Sequence, residues 1–171
     1  MEAHQATPDG PRLAFVDEAD VPWREVIAQQ HGERRVSVHE KFLEWTPQRM
    51  VVLGRYDPGL VLERHGHKSD NLVYVMQGTL EVGLEDGSAR SCGPGTLVVL
   101  EEGAVFGPLV AGPEGCLLFE TWGDDVTPVP ADKEGYNRTL AERGIERLPN
   151  PEFERPEGAP DGDLGSGDRW S

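Results

Sequence analysis

PGLVLERHGHKSDNLVYVMQGTLEVG, residues 58–83, holds two closely spaced histidines between short apolar runs. His65 and His67 stand at its centre, separated by Gly66. On a strand, residues two apart share a face and lie roughly 6.5–7 Å apart along it, so two imidazoles at this spacing can converge on one ion. The same bare spacing also occurs in surface loops, so the flanks matter. Leu60–Leu62 and Leu72–Met76 are short apolar runs, bounded by Pro58-Gly59 and by Gly78. They read as two strands joined by the polar turn Lys68-Ser69-Asp70.

The order Gly59-x5-His65-x-His67-x3-Asn71-x6-Gly78 resembles the first signature motif of the cupin superfamily, G-x5-H-x-H-x3,4-E-x6-G. A second block, Gly95-x5-Glu101-x-Gly103-x2-Phe106, is similar to the second motif, G-x5-P-x-G-x2-H-x3-N, but departs from it at the proline and at the histidine. The resemblance implies an all-β fold: a double-stranded β-helix, or jelly-roll, barrel. It also implies a metal held inside the barrel by His65, His67, a carboxylate at position 71 and a histidine at position 106. Here those last two positions hold Asn71 and Phe106. An asparagine offers only a neutral carbonyl oxygen and a phenylalanine offers nothing. Two imidazoles and an amide therefore leave a first-row site of the two-histidine, one-carboxylate kind short of its anionic oxygen. Glu63 shares the strand parity of the two histidines and is the leading candidate for it. Asp70 and Glu120 are the weaker ones.

Moving outward, 171 residues suit one domain. Hydrophobic residues make up 37%, enough for one core, and 21 glycines with 14 prolines favour many turns over long helices. The formal net charge is -15, from 31 acidic against 16 basic residues. Nucleic acid and anionic membrane surfaces would repel such a chain. Cys92 and Cys116 make no disulfide framework and read as reduced thiols of a cytoplasmic protein. No apolar run approaches the length of a membrane span, and the start MEAHQATPDG lacks a signal pattern.

Residues 1–11 read as a flexible arm and residues 12–128 as the barrel. Leu13–Val16 is expected to form a short first strand, and the chain after Pro22-Trp23 a helical turn through Ile27, with Trp23 plugging the barrel's end. Arg35–Trp45 and Met50–Tyr56 read as strands. Arg49 and Arg55 share parity with Val51 and Leu53, so one of them could enter the cavity and clamp a carboxylate or enolate. The competing reading has them at the rim with their heads in water. His39 reads as an exposed strand histidine. Asp86-Gly87 between alternating segments predicts a hairpin. Thr96–Leu100, Val105–Val110 and Cys116–Trp122 complete a set of nine or ten strands, the spacing of a sandwich or closed barrel. Residues 129–148 read as a connector and a surface helix over 132–143, capped by Asp132 and ended by Gly144. Residues 149–171, rich in proline, glycine and acid, read as a mobile tail.

Function rests on the cavity, because a fold alone does not imply one. Pro22-Trp23, Lys41-Phe-Leu43, Pro58-Gly59 and Gly115-Cys116 loosely resemble the branch of cupins with ChrR-like sensors and dioxygenases that cleave diketones and hydroxyacetophenones. That resemblance implies a metal-dependent enzyme in which His65 and His67 are the catalytic centre. A divalent Fe, Mn, Ni or Zn would rest on them with Asn71 or Glu63. Val73, Val75, Val98 and Phe106, with Arg55 and Glu120, would line the substrate pocket. Two rivals stand beside it: a non-catalytic small-molecule binder or sensor, and a metal-independent isomerase or cyclase with a histidine base. The expected partners are a small-molecule ligand and, by resemblance, a second copy of the chain.

Overall fold

The computed structural model describes residues 13–160. The expected arm (1–11) and the end of the tail (161–171), Trp170 included, lie outside the described residues. A 3-10 turn, Glu18–Asp20, precedes β1 (Arg24–His31), β2 (Arg34–Thr46) and β3 (Arg49–Tyr56). Next come β4 (Val61–Leu62), β5 (His65–His67), β6 (Asn71–Gly83), β7 (Ala89–Cys92), β8 (Leu97–Leu100) and β9 (Leu109–Trp122). The chain ends in β10 (Pro128–Pro130), α1 (Lys133–Glu142) and β11 (Ile145–Arg147).

One antiparallel sheet runs β11-β1-β2-β3-β9-β6-β7, with β4 added on β9 and β8 on β6; β5 and β10 form a separate ribbon. This is the jelly-roll arrangement. In its main core cluster Val36, Val38, Val52, Val75 and Leu118 are at most 1% exposed.

Local expectations fare differently along the chain. Leu13–Val16 forms no strand and its side chains are exposed. The segment after Trp23 is strand rather than helical turn, because Val26, Ile27 and Ala28 are all buried between β2 and the core. Two expected breaks are absent. β6 runs unbroken through Gly78, and β9 unbroken through Pro113-Glu114-Gly115. Their close approach explains the glycine: a Cβ on Gly78 would lie 2.0 Å from the carbonyl oxygen of Gly115. The Asp86-Gly87 hairpin joins β6 to β7, with Gly87 at φ 83°.

Helix α1 starts where Asp132 accepts the amide of Gly135 at 2.8 Å, and Gly144 follows it at φ 64°. Its Tyr136 and Leu140, four apart, are buried against Val61. Gln29, fully buried, ties the helix to the barrel by donating to the Val61 carbonyl at 2.5 Å and meeting the Tyr136 hydroxyl at 3.0 Å. Beyond the helix, Phe153 stacks on Phe42 at 5.3 Å, and the Arg155 guanidinium lies over Trp45. No helix among the described residues is long and apolar enough to cross a membrane.

Candidate functional site

β5 places the two histidines. It is held on one side by β10, with Pro128 opposite His67 and Pro130 opposite His65, and on the other by paired backbone hydrogen bonds between His65 and Phe106, both 2.9 Å. Gly66 between them is a packing requirement, since a Cβ there would lie 2.8 Å from the Ala104 carbonyl oxygen. The rings of His65 and His67 meet edge to face, 5.0 Å between centroids. Two imidazoles sharing one ion at about 2.1 Å each have centroids roughly 4.5–5.5 Å apart, and the spacing of this pair falls within that range.

His65 is 3% exposed, and its Nδ1 lies 2.8 Å from the carbonyl oxygen of Glu63. A carbonyl only accepts, so Nδ1 carries the hydrogen and Nε2 carries the lone pair. Burial lowers the pKa of His65 to about 4, leaving the ring neutral at physiological pH. A metal ligand needs this state: a neutral imidazole oriented by a backbone acceptor on its other nitrogen.

Both histidines open on one cavity of about 60 Å³. A single water needs roughly 10–15 Å³ of such space, so there is room for a handful of waters or a small organic molecule. Most of its wall is apolar. Asn71, Val73, Val98, Phe106 and Glu120 line it as the sequence predicts. Asn71 donates its amide to the Thr121 carbonyl at 3.0 Å. Phe106 occupies the position where the resemblance implies a histidine, 4.5 Å from His65 and 6.0 Å from His67.

Three residues named from the sequence sit elsewhere. Glu63 is 1% exposed but lines a different cavity, beside Asp132 and Tyr136 of the helix start. The strand breaks at Glu63-Arg64, and Leu62 and His65, three apart, both face the histidine cavity. Parity counted across that break therefore fails. Arg55 is exposed, with its guanidinium over the half-buried Trp23 at 4.7 Å. The inward residues of β3 are Met50, Val52, Gly54 and Tyr56, since Met50 pairs with Trp122 and Val52 with Glu120. Val75 is fully buried in the core, while its cross-strand partner Leu118 forms the cavity wall at that level.

Sequence reasoning missed Glu40, Tyr56 and Trp122, all of which line the cavity. Glu40 shares the even parity of Val36, Val38 and Phe42 on β2, a signal that was there to be read. Glu40 is 6% exposed and Glu120 4%. The Tyr56 hydroxyl donates to Glu120 Oε1 at 3.3 Å, and burial, then the charges of Glu120 and Glu40, push its pKa well up. Trp122 stands 5.9 Å from His67, and its buried indole N–H has no hydrogen-bond partner among the described residues. No lysine or arginine lines this cavity among the described residues.

The donor set fits a divalent ion only in part. The two imidazoles suit it in spacing, the neutral ring of His65 suits it in protonation, and Asn71 offers a neutral oxygen. Among the described residues no group of three or more His, Cys, Asp or Glu side chains is close enough to hold a metal. The remaining positions would fall to water or to oxygens of a substrate.

The model of the ChrR cupin-like domain matches residues 12–124. Among solved structures, KdgF from Halomonas sp. is 27% identical, with TM-score 0.51, over 64% of this chain and 94% of that one. The polyketide cyclase RemF from Streptomyces resistomycificus is 21% identical, with TM-score 0.60, over 77% and 96%. An RmlC-like cupin from Shewanella frigidimarina is 19% identical, with TM-score 0.52, over 73% and 96%. No curated protein matches the sequence.

Proposed function

The chain belongs to the ChrR cupin-like family, and from that premise we propose that it is a metal-dependent enzyme acting on a small organic molecule inside its barrel. His65 and His67 hold a divalent first-row ion, with Asn71 as third neighbour; oxidative carbon–carbon cleavage is the first activity to assay. The observation that carries this reading is His65, kept neutral by burial with Nδ1 committed to the Glu63 carbonyl. Such a histidine loses no proton when it binds a cation.

The bound ion would serve as Lewis acid and as template for two reactants. The chain's own residues do the rest. Val73, Val98, Leu100 and Leu118 exclude water and shape the space for an apolar substrate body. Trp122 offers its indole N–H to a substrate oxygen beside His67. Because Asn71 brings no charge, a substrate with two adjacent oxygens, such as an enolate, suits the open positions.

A second reading is favoured by Phe106: with a ring in the place of a ligand, the barrel would be a non-catalytic binder of small molecules. Metal analysis of protein purified without a histidine tag separates the two. A stoichiometric Fe, Mn, Ni or Zn that disappears in His65→Ala supports the enzyme. Metal-free protein that retains an organic ligand supports the binder.

We propose a second copy of the chain as its protein partner. Leu72, Tyr74 and Met76 of β6, with Leu97 and Val99 of β8 and Phe119 of β9, form an exposed apolar face. In a chain of net charge -15, two such uncharged faces can meet where charged ones repel.

A further inference from the structure

We propose that the cleft between helix α1 and the barrel is a second binding site, for a small zwitterion. Its ammonium sits on Glu63 and its carboxylate lies at Arg64 and Arg138. This cleft is separate from the histidine cavity, and the inference does not rest on the metal reading.

The cleft has a volume of about 300 Å³, the size of a small-molecule site. Successive residues of the chain here face opposite ways. Val61 packs on Tyr136 and Leu140 of the helix, Leu62 faces the histidine cavity, and Glu63 turns back to the helix side. At 1% exposure Glu63 forms the floor, and Gly83, Gly107 and Tyr136 are buried around it. The mouth is lined by exposed Asp132 and Arg138 and by half-buried Arg64, which donates to the Leu84 carbonyl at 3.3 Å.

The floor is what calls for a ligand. Both carboxyl oxygens of Glu63 are buried with no hydrogen-bond partner among the described residues. Leaving such a group unpaired is costly, and native proteins contain few of them. The Tyr136 hydroxyl, which also lines the cleft, donates to the Val61 carbonyl at 3.1 Å instead. Lys133 and Arg147 act on Glu63 through their field without pairing with it, and Asp132 opposes them. An ammonium brings three N–H donors, enough for both oxygens. A plain amine would have to pass two guanidinium groups at the mouth. A carboxylate at the ligand's outer end turns those same groups into partners. The lining carries two carboxyl and two guanidinium side chains, and a net-neutral ligand with one charge of each sign matches it.

The test is titration of the isotope-labelled full chain, followed by amide NMR, with glycine, β-alanine and γ-aminobutyrate as probes. At least one should bind saturably and shift the amides of Gly87, Gly107 and Gly135, which line the cleft. Glu63→Gln removes the anionic acceptor and should weaken that binding by about tenfold or more. Butylamine and butyrate, each with a single charged end, should bind the wild type at least about tenfold more weakly than the best of the three. That comparison uses the wild type alone, so it decides the matter should Glu63→Gln not fold. Probes that leave these amides unmoved would overturn the inference. So would a Kd that is unchanged in folded Glu63→Gln, or butylamine or butyrate binding as tightly as the amino acids.

Discussion

His65 and Phe106 face each other across a two-way backbone bridge, their ring centroids 4.5 Å apart. The phenylalanine stands 6.0 Å from His67 as well. A ring at this point reaches toward both imidazoles, so it is the position from which a third imidazole would complete the set.

Phe106→His should therefore raise Zn²⁺ affinity by about tenfold or more, by adding a fourth neutral donor to an incompletely ligated ion. Calorimetry on the metal-free protein measures it. Unchanged affinity in a folded variant would mean that the two histidines do not aim at a common point.

The pH dependence of stability follows from His65. Its pKa falls from 6.5 to about 4 on folding, so between these values the unfolded chain binds the proton that the folded one refuses. The contribution is fully present above pH 6.5 and is lost as pH falls toward 4, roughly 3 kcal/mol in all. Urea melts of metal-free protein across this window should show that loss. His65→Asn, which cannot take up a proton, should flatten the curve there.

Glu63 has a different signature. Both its carboxylate oxygens are buried without a hydrogen-bond partner among the described residues, and burial raises its pKa. A raised pKa costs the fold stability at pH values above 4.5, where the unfolded chain leaves the carboxylate ionised in water. Glu63→Gln should stabilise the fold by about 1 kcal/mol in urea melts. It should leave the metal content unchanged, since Glu63 does not line the histidine cavity. A loss of metal would restore it as a ligand.

Gly54→Ala tests the crowding between β2 and β9. The new Cβ would meet Glu120 Oε1 at 2.7 Å and the Tyr56 ring at 3.3 Å. Glu120 can swing aside only by breaking its bond to Tyr56. A destabilisation of about 1–3 kcal/mol is expected from thermal or urea unfolding. A neutral effect would mean that Glu120 has room to turn aside.

Much of the molecule was legible in residue order. The glycine between the histidines, the Asp-Gly hairpin and the Asp132 cap each act within a few residues, and each stands where the sequence places it. The inward set Asn71, Val73, Val98 and Phe106 was also readable, because β6 keeps strict alternation over Asn71–Val75. Arg55 was misplaced because β3 is apolar on both faces: Leu53 is buried along with Met50 and Val52. Alternation does not say which of two greasy faces looks inward.

Glu63 and Glu40 mark the boundary between the two kinds of information. Short-range rules, namely the glycines that permit turns and the strand period that sorts side chains by face, determined the all-β architecture and the aim of His65 and His67. Only the assembled barrel decided that the break at Glu63-Arg64 turns that carboxylate away, and that Gly54 leaves space for Glu120 beside the strand that carries Glu40. Those outcomes depend on which strands become neighbours. Residues as far apart as Glu40, Gly54 and Glu120 are brought together by strand pairing, and no periodicity along the chain encodes that pairing.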